Sequence, residues 1–190
     1  ERVVKKVQAL ANVLQDGPLH ARAELLAARM IYREWQTSRQ QGSVPILLER
    51  RTEHALSSAL SNAEQKGWLG SEAVLATRLA HLLLTVEEPA KQAELSMLLE
   101  RRLPRLSVLP SELADIHYYL GLNALRSDDL RLARGHLEKG VEEAFRLGSA
   151  DQAIRIQAHE LEVLLLSAPP DEVRTRLALY KREAERATTP

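Results

Sequence analysis

Apolar residues recur at every third or fourth position along most of the chain, interrupted by glycine, proline and short polar turns, and that spacing predicts helices. Val3, Val7, Leu10 and Leu14 share one face of a first helix that Gly17-Pro18 ends. A second runs from about Leu19 to Gln41 with Ala23, Leu26 and Met30 on its stripe, and Gly42-Ser43-Val44-Pro45 breaks it. Leu48, Ala55, Leu56, Ala59, Leu60 and Ala63 line a third, whose small residues permit close helix approach, and Gly67 is its candidate left-handed cap. Ser71 is predicted to cap a fourth helix through Val86, and Pro89 to start a fifth. Pro104 and Pro110 bracket an irregular connector, after which Ser111 caps a sixth helix carrying Leu113, Ile116, Leu120 and Ala124. Asp128-Asp129 turns the chain into a seventh, with Leu130, Ala133, Leu137, Val141 and Ala144 on its stripe and Gly148 at its end. Ser149 and Gln152 have the spacing of a capping box and open an eighth helix through Leu166. Pro169-Pro170 separates it from a ninth with Val173, Leu177, Tyr180 and Ala184 inward.

Composition agrees with an all-α chain: 35 leucines and 25 alanines stand against 23 valines, isoleucines and threonines together. Lys plus Arg and Asp plus Glu balance at 26 each, which argues against a sequence-independent nucleic-acid binder or a polybasic membrane module. The absence of cysteine removes disulfides, thiolate metal sites and a cysteine nucleophile, and a cytoplasmic setting is expected. Apolar runs such as Leu82 to Leu84 and Val163 to Leu166 are far shorter than the roughly 20 residues that span a bilayer. The chain opens on a helical charge pattern at Glu1 without Met or a signal peptide, so a segment of a longer protein is expected.

Internal repetition is the most informative pattern. The unit from Ala114 to Gly148 places Leu120-Gly121, Ala124, Ala133, Leu137 and Gly140 where two antiparallel helices could approach closely on small residues, with the leucines filling around the contact. Moving back 40 or 41 residues finds Ala80, Ala93 and Met97 in the corresponding places, and moving forward 40 finds Leu161, Val173, Leu177 and Ala184, a bulkier set. This pattern resembles the tetratricopeptide repeat (TPR), in a longer-period variant like that of large bacterial transcription activators and signalling proteins, since the standard period is about 34. His117 stands at the position usually held by tryptophan or tyrosine, and Phe145 at that of the terminal proline. The resemblance implies antiparallel helix hairpins stacked as a right-handed superhelix over residues 1–187, with degenerate units in 1–67, clearer ones in 71–187 and a tail at 188–190.

It also implies a non-enzymatic module that binds a peptide or domain in a concave groove lined by the first helix of each pair. Carried over by position, the groove residues are Tyr118, Leu122, Leu125 and Arg126 in the clearest unit. Thr77, His81, Leu84 and Thr85 precede them, and Ala158, Glu162, Leu165 and Leu166 follow. Family members that clamp a peptide carboxylate have lysine and asparagine where Tyr118 and Leu122 stand, so a mixed groove is expected instead, with Arg126 and His81 as anion contacts. Another domain of the same protein, a small-molecule effector and a second copy are further candidate partners, and the competing role is an effector-sensing and oligomerisation domain of a bacterial transcription regulator. No cofactor is expected. His20, His54, His81, His117, His136 and His159 are spread over six helices without the i, i+3 or i+4 pairing that offers two imidazoles to one metal ion. Gly135 to Gly140 lies within a helix and lacks the Lys-Ser/Thr of a phosphate loop, while Arg50-Arg51 and Arg101-Arg102 with Arg105 are read as solvated faces and Trp35 and Trp68 as packing at joints.

Overall fold

The structure is a computed structural model that describes Lys6, Ala9 and residues 17–42 and 44–188. Among the described residues the chain is helical without a strand, in nine helices: α1 Gly17–Gln40, α2 Ile46–Gln65, α3 Leu69–Leu83, α4 Pro89–Glu100, α5 Leu103–Leu106, α6 Pro110–Arg126, α7 Leu130–Leu147, α8 Ala150–Ser167 and α9 Pro170–Thr188. The all-helical expectation therefore holds. The helix expected over Val3 to Leu14 lies outside the described residues. The single turn α5 forms where an irregular connector was expected, because Pro104 sits in its first turn, where a missing N–H costs nothing. None of the described helices is long and apolar enough to cross a membrane.

Glycine ends helices at Gly67 and Gly148, as the pattern placed it, whereas Gly17-Pro18, expected to end a helix, forms the first two residues of α1, where proline's missing N–H costs nothing. Gly67 and Gly148 have φ of 68° and 76°, the left-handed region that a residue without Cβ enters freely. Asp129 caps α7 by accepting the Leu132 N–H at 3.0 Å. The serine caps do not form as expected. Ser71 lies inside α3, whose first turn is already closed by the Trp68 carbonyl accepting the Glu72 N–H, and the helix stops at Leu83 rather than Val86. Ser111 falls in the first turn of α6, which Pro110 opens with its fixed φ and no side-chain cap. Ser149 occupies the N-cap of α8 without a side-chain bond, and the reciprocal half of the capping box is also missing, because the Gln152 side chain donates instead to the Asp115 carboxylate at 2.9 Å and the Ser111 carbonyl at 3.3 Å.

The chain divides into two compact units, Glu1–Leu82 and Leu83–Pro190. In the first, α1 packs on α2, whose Leu56, Ala59, Leu60 and Ala63 are buried as expected. The buried positions of α1 are Ala21, Ala23, Ala28, Tyr32 and Trp35. Leu26 and Met30, expected on that stripe, are exposed instead, since a face running through 28, 32 and 35 turns them to its far side.

In the second unit α6 packs on α7, α7 on α8 and α8 on α9. The expected inward positions of α6 and α7 are buried apart from a half-buried Leu130. Gly121 is the reason these helices come so close: a Cβ there would lie 2.7 Å from Leu137 Cγ and 3.3 Å from the Ala133 carbonyl oxygen. Gly140 permits a close but looser approach to two helices, since a Cβ there would meet Ile156 Cδ1 of α8 and the Ala114 carbonyl of α6, each at 3.3 Å. Helix α9 buries Tyr180, but Leu177, expected inward, stays 53% exposed.

Candidate functional site

Two helices of the second unit, α6 and α8, present a face that is neither plain core nor plain solvated surface. Asp115 accepts from Arg155 at 2.7 Å and from Gln152, so one carboxylate of α6 holds two side chains of α8. Arg155 Cζ stands 4.9 Å from the Tyr118 ring centroid, and the His159 ring centroid lies 5.6 Å from it. Tyr119 packs beside Tyr118 at 5.3 Å between centroids, and His159 Nδ1 is 3.3 Å from the Glu162 carboxylate. Burial raises the Tyr118 hydroxyl above its ordinary pKa; Arg155 opposes and Asp115 reinforces this, so the phenol is a neutral hydrogen-bonding group. The face combines a largely buried tyrosine ring with guanidinium, imidazole and carboxylate groups in one patch.

The residues expected from the sequence fall into three sets. Tyr118 and Glu162 belong to the α6–α8 face, with Tyr118 only 9% exposed and Glu162 open. Leu122 and Leu125 are half-buried against the core of the second unit, and Arg126 donates to the Leu84 and Val86 carbonyls, the latter at 2.9 Å, fastening the segment that leaves α3. Thr85 is half-buried in that segment, while Leu165 and Leu166 are exposed on α8. Thr77 and His81 belong to the first unit. The Thr77 hydroxyl donates to the Ala73 carbonyl of its own helix. His81 accepts from Arg39 at Nε2, at 2.8 Å, which leaves the proton of the neutral ring on Nδ1, 2.7 Å from the Tyr32 oxygen.

Asp115, Gln152, Arg155 and His159 were missed. Their signal was present: Asp115 and Arg155 are opposite charges 40 residues apart, the period expected from the sequence, and they pair across α6 and α8.

No protein-family model, no curated protein and no solved structure matches the chain.

A second feature of this unit is a cleft of about 210 Å³ among α4, α6 and α7, bordered by Gln92, Ser96, Glu100, Asn123, Asp129 and His136. Beneath it His117 and His136 bring their Nδ1 atoms to 3.0 Å, and His136 Nε2 faces the Glu100 carboxylate at 3.6 Å. Burial first, then repulsion from His136 and Lys139, pulls His117 down to about 3, so it is neutral and donates or accepts rather than carrying charge. This histidine pair is formed by two helices, which spacing along one helix cannot reveal. Among the described residues no group of three or more His, Cys, Asp or Glu side chains could hold a metal ion.

Proposed function

We propose that the chain is a TPR-like helical-repeat module that binds a protein segment on the face formed by α6 and α8. One observation carries this reading: beside the hydrogen bonds between adjacent helices at separations of 19 to 26, such as His117–His136 and Tyr180–Glu160, a second set of side-chain hydrogen bonds in the second unit falls at 37 to 41. Arg155 reaches Asp115 at a separation of 40 and Gln152 reaches Ser111 at 41. Arg126 reaches Val86 at 40, and Arg146 reaches Ser107 at 39. Arg134 reaches Glu172, and Arg176 reaches Glu138, each at 38. Stacked repeats bring each residue beside its equivalent one period away, whereas an unrelated set of helices has no reason to favour one separation. In such a stack α6 and α8 are successive first helices, and their shared face is the one left open to a partner.

Panning a random peptide display library against the chain tests the assignment. Enriched peptides should lose about tenfold or more in affinity with Glu162→Arg or His159→Ala, both on the open side, while the thermal midpoint stays close to that of the parent. Failure to enrich any peptide, or peptides indifferent to both changes, would reject it.

The cleft beside Glu100 supports a second reading, that of an effector-sensing domain in a transcription regulator. The Asn123 amide oxygen is buried there without a donor, and an N–H-bearing small molecule would satisfy it and Glu100 together.

A further inference from the structure

The α6–α8 arrangement has a counterpart inside the first unit. Tyr32 on α1 meets Arg78 on α3, whose Cζ is 5.3 Å from the ring centroid, and also His81, at 6.2 Å between ring centroids. Tyr118 meets Arg155 and His159 in the same way, at 4.9 Å and 5.6 Å. In both cases one tyrosine of a first helix is held by an arginine and a histidine one turn apart on a later helix. The difference is in the charge that answers the arginine. Three residues before Tyr118 stands Asp115, ion-paired with Arg155. Three residues before Tyr32 stands Arg29, and the residue after it is Arg33.

We propose that Arg29, Arg33 and Arg78 form a binding site for a phosphorylated side chain carried on a peptide. Among the described residues no carboxylate is ion-paired or hydrogen-bonded to any of the three guanidinium groups. The α1 carboxylates on either side are turned elsewhere, Glu24 accepting from Asn62 and Glu34 lying 3.9 Å from Arg51. Arg29 Nε and Arg78 Nη1 are buried without a hydrogen-bond partner, so two charged-group donors have lost water and gained nothing within the fold. Desolvation, with repulsion from Arg29 and Arg33, lowers the Arg78 pKa, which places the three guanidinium groups close enough to act on one another. Guanidinium forks suit an oxyanion with several acceptor oxygens, and a phosphate dianion matches three converging cations better than a single carboxylate. A nucleic-acid backbone suits the site less: Tyr32 and Trp35 are buried at 6% and 0% exposure and offer no ring face to a base, and the patch is too short to track a strand. The site stands on the first unit alone and does not require the α6–α8 face to bind anything.

The test is fluorescence anisotropy on the full chain with fluorescein-labelled peptides that carry one central phosphoserine between randomised flanks. The unphosphorylated pool and a single-stranded oligothymidylate serve as comparisons. The phosphorylated pool should bind, the unphosphorylated pool should bind at least about tenfold more weakly, and inorganic phosphate and added salt should compete. Arg78→Gln should weaken phosphopeptide binding about tenfold. Arg33→Glu, at an exposed position that does not threaten folding, should do the same, while Arg174→Gln on exposed α9 should not. Equal binding of the two peptide pools, tighter binding of the oligothymidylate, or affinity unchanged by Arg33→Glu would overturn the proposal.

Discussion

The two helix pairs of the second unit are held together in opposite ways. Between α6 and α7 the contact is nearly backbone to side chain: Gly121 leaves no room for a Cβ, Leu137 fills the space above it, and Ala133 is fully buried. Between α8 and α9 the corresponding positions are bulkier, and polar groups hold the contact. The Glu160 carboxylate, fully buried, accepts from the Tyr180 hydroxyl and faces Arg176 Nε at 3.2 Å. Arg134 and Arg176 then lace α9 to α7 through Glu172 and Glu138. Close apolar contact gains from van der Waals packing and dewetting, whereas a buried carboxylate must first recover what it lost in leaving water. Two neighbouring helix pairs of one unit therefore have two kinds of interior, and the two should respond differently to volume and to pH.

The largest expected effect is steric. Gly121→Leu should cost about 3 kcal/mol in urea denaturation, because a Cβ alone would meet the Leu137 Cγ at 2.7 Å and its Cδ2 at 2.8 Å, with the Ala133 carbonyl oxygen at 3.3 Å behind them, and a longer side chain has still less room. A loss too small to measure would mean that α6 and α7 are not built on this contact.

The next effect is electrostatic and separates the pairs by sign. The folded state holds His117 near 3, against an ordinary 6.5, so below about pH 6.5 the unfolded chain takes up a proton that the fold refuses. Stability should fall progressively between pH 6.5 and 3, by about 2 kcal/mol at pH 5 relative to neutral pH. Glu160 works the other way: burial raises its carboxyl, so as the pH rises above 4.5 the unfolded chain releases a proton that the fold retains, and stability falls. Repeating the pH series in Glu160→Gln should therefore expose the histidine slope more cleanly. A flat series in that variant would contradict the neutral histidine pair. The smallest effect is Tyr180→Phe, which removes one donor from Glu160 while Arg176 remains, and should cost about 1 kcal/mol by the same denaturation measurement.

Much of this was legible from spacing alone. The α6 and α7 stripes and the close approach at Gly121 could be read because small residues at fixed intervals have few other uses in a helix interior. Leu26, Met30 and Leu177 were misread for a common reason: a long, apolar-rich helix carries more than one plausible stripe, and the partner decides which is buried. The capping boxes and serine caps do not form where neighbouring groups take over the task, as Pro110 does for α6, or draw off the side chain that would complete the box, as Asp115 does with Gln152. Candidate groove positions were carried over one at a time, so Tyr118 was placed but its dependence on Arg155 and His159 was not. Aligning charges one period apart, as with Asp115 and Arg155, would have shown the cluster before the fold did.

The set of side-chain bonds at separations of 38 to 41 in the second unit also bears on how the chain acquires its structure. Each bond closes a loop of about the same modest size, so no step has to recruit a distant segment before earlier contacts repay its entropy. The α6–α7 hairpin, joined by a short turn and locked at Gly121, is the natural nucleus, and α8 and then α9 can be added by propagation. Loss should run in reverse, from α9 inward, so native-state hydrogen exchange ought to grade smoothly along the unit instead of breaking at one cooperative boundary.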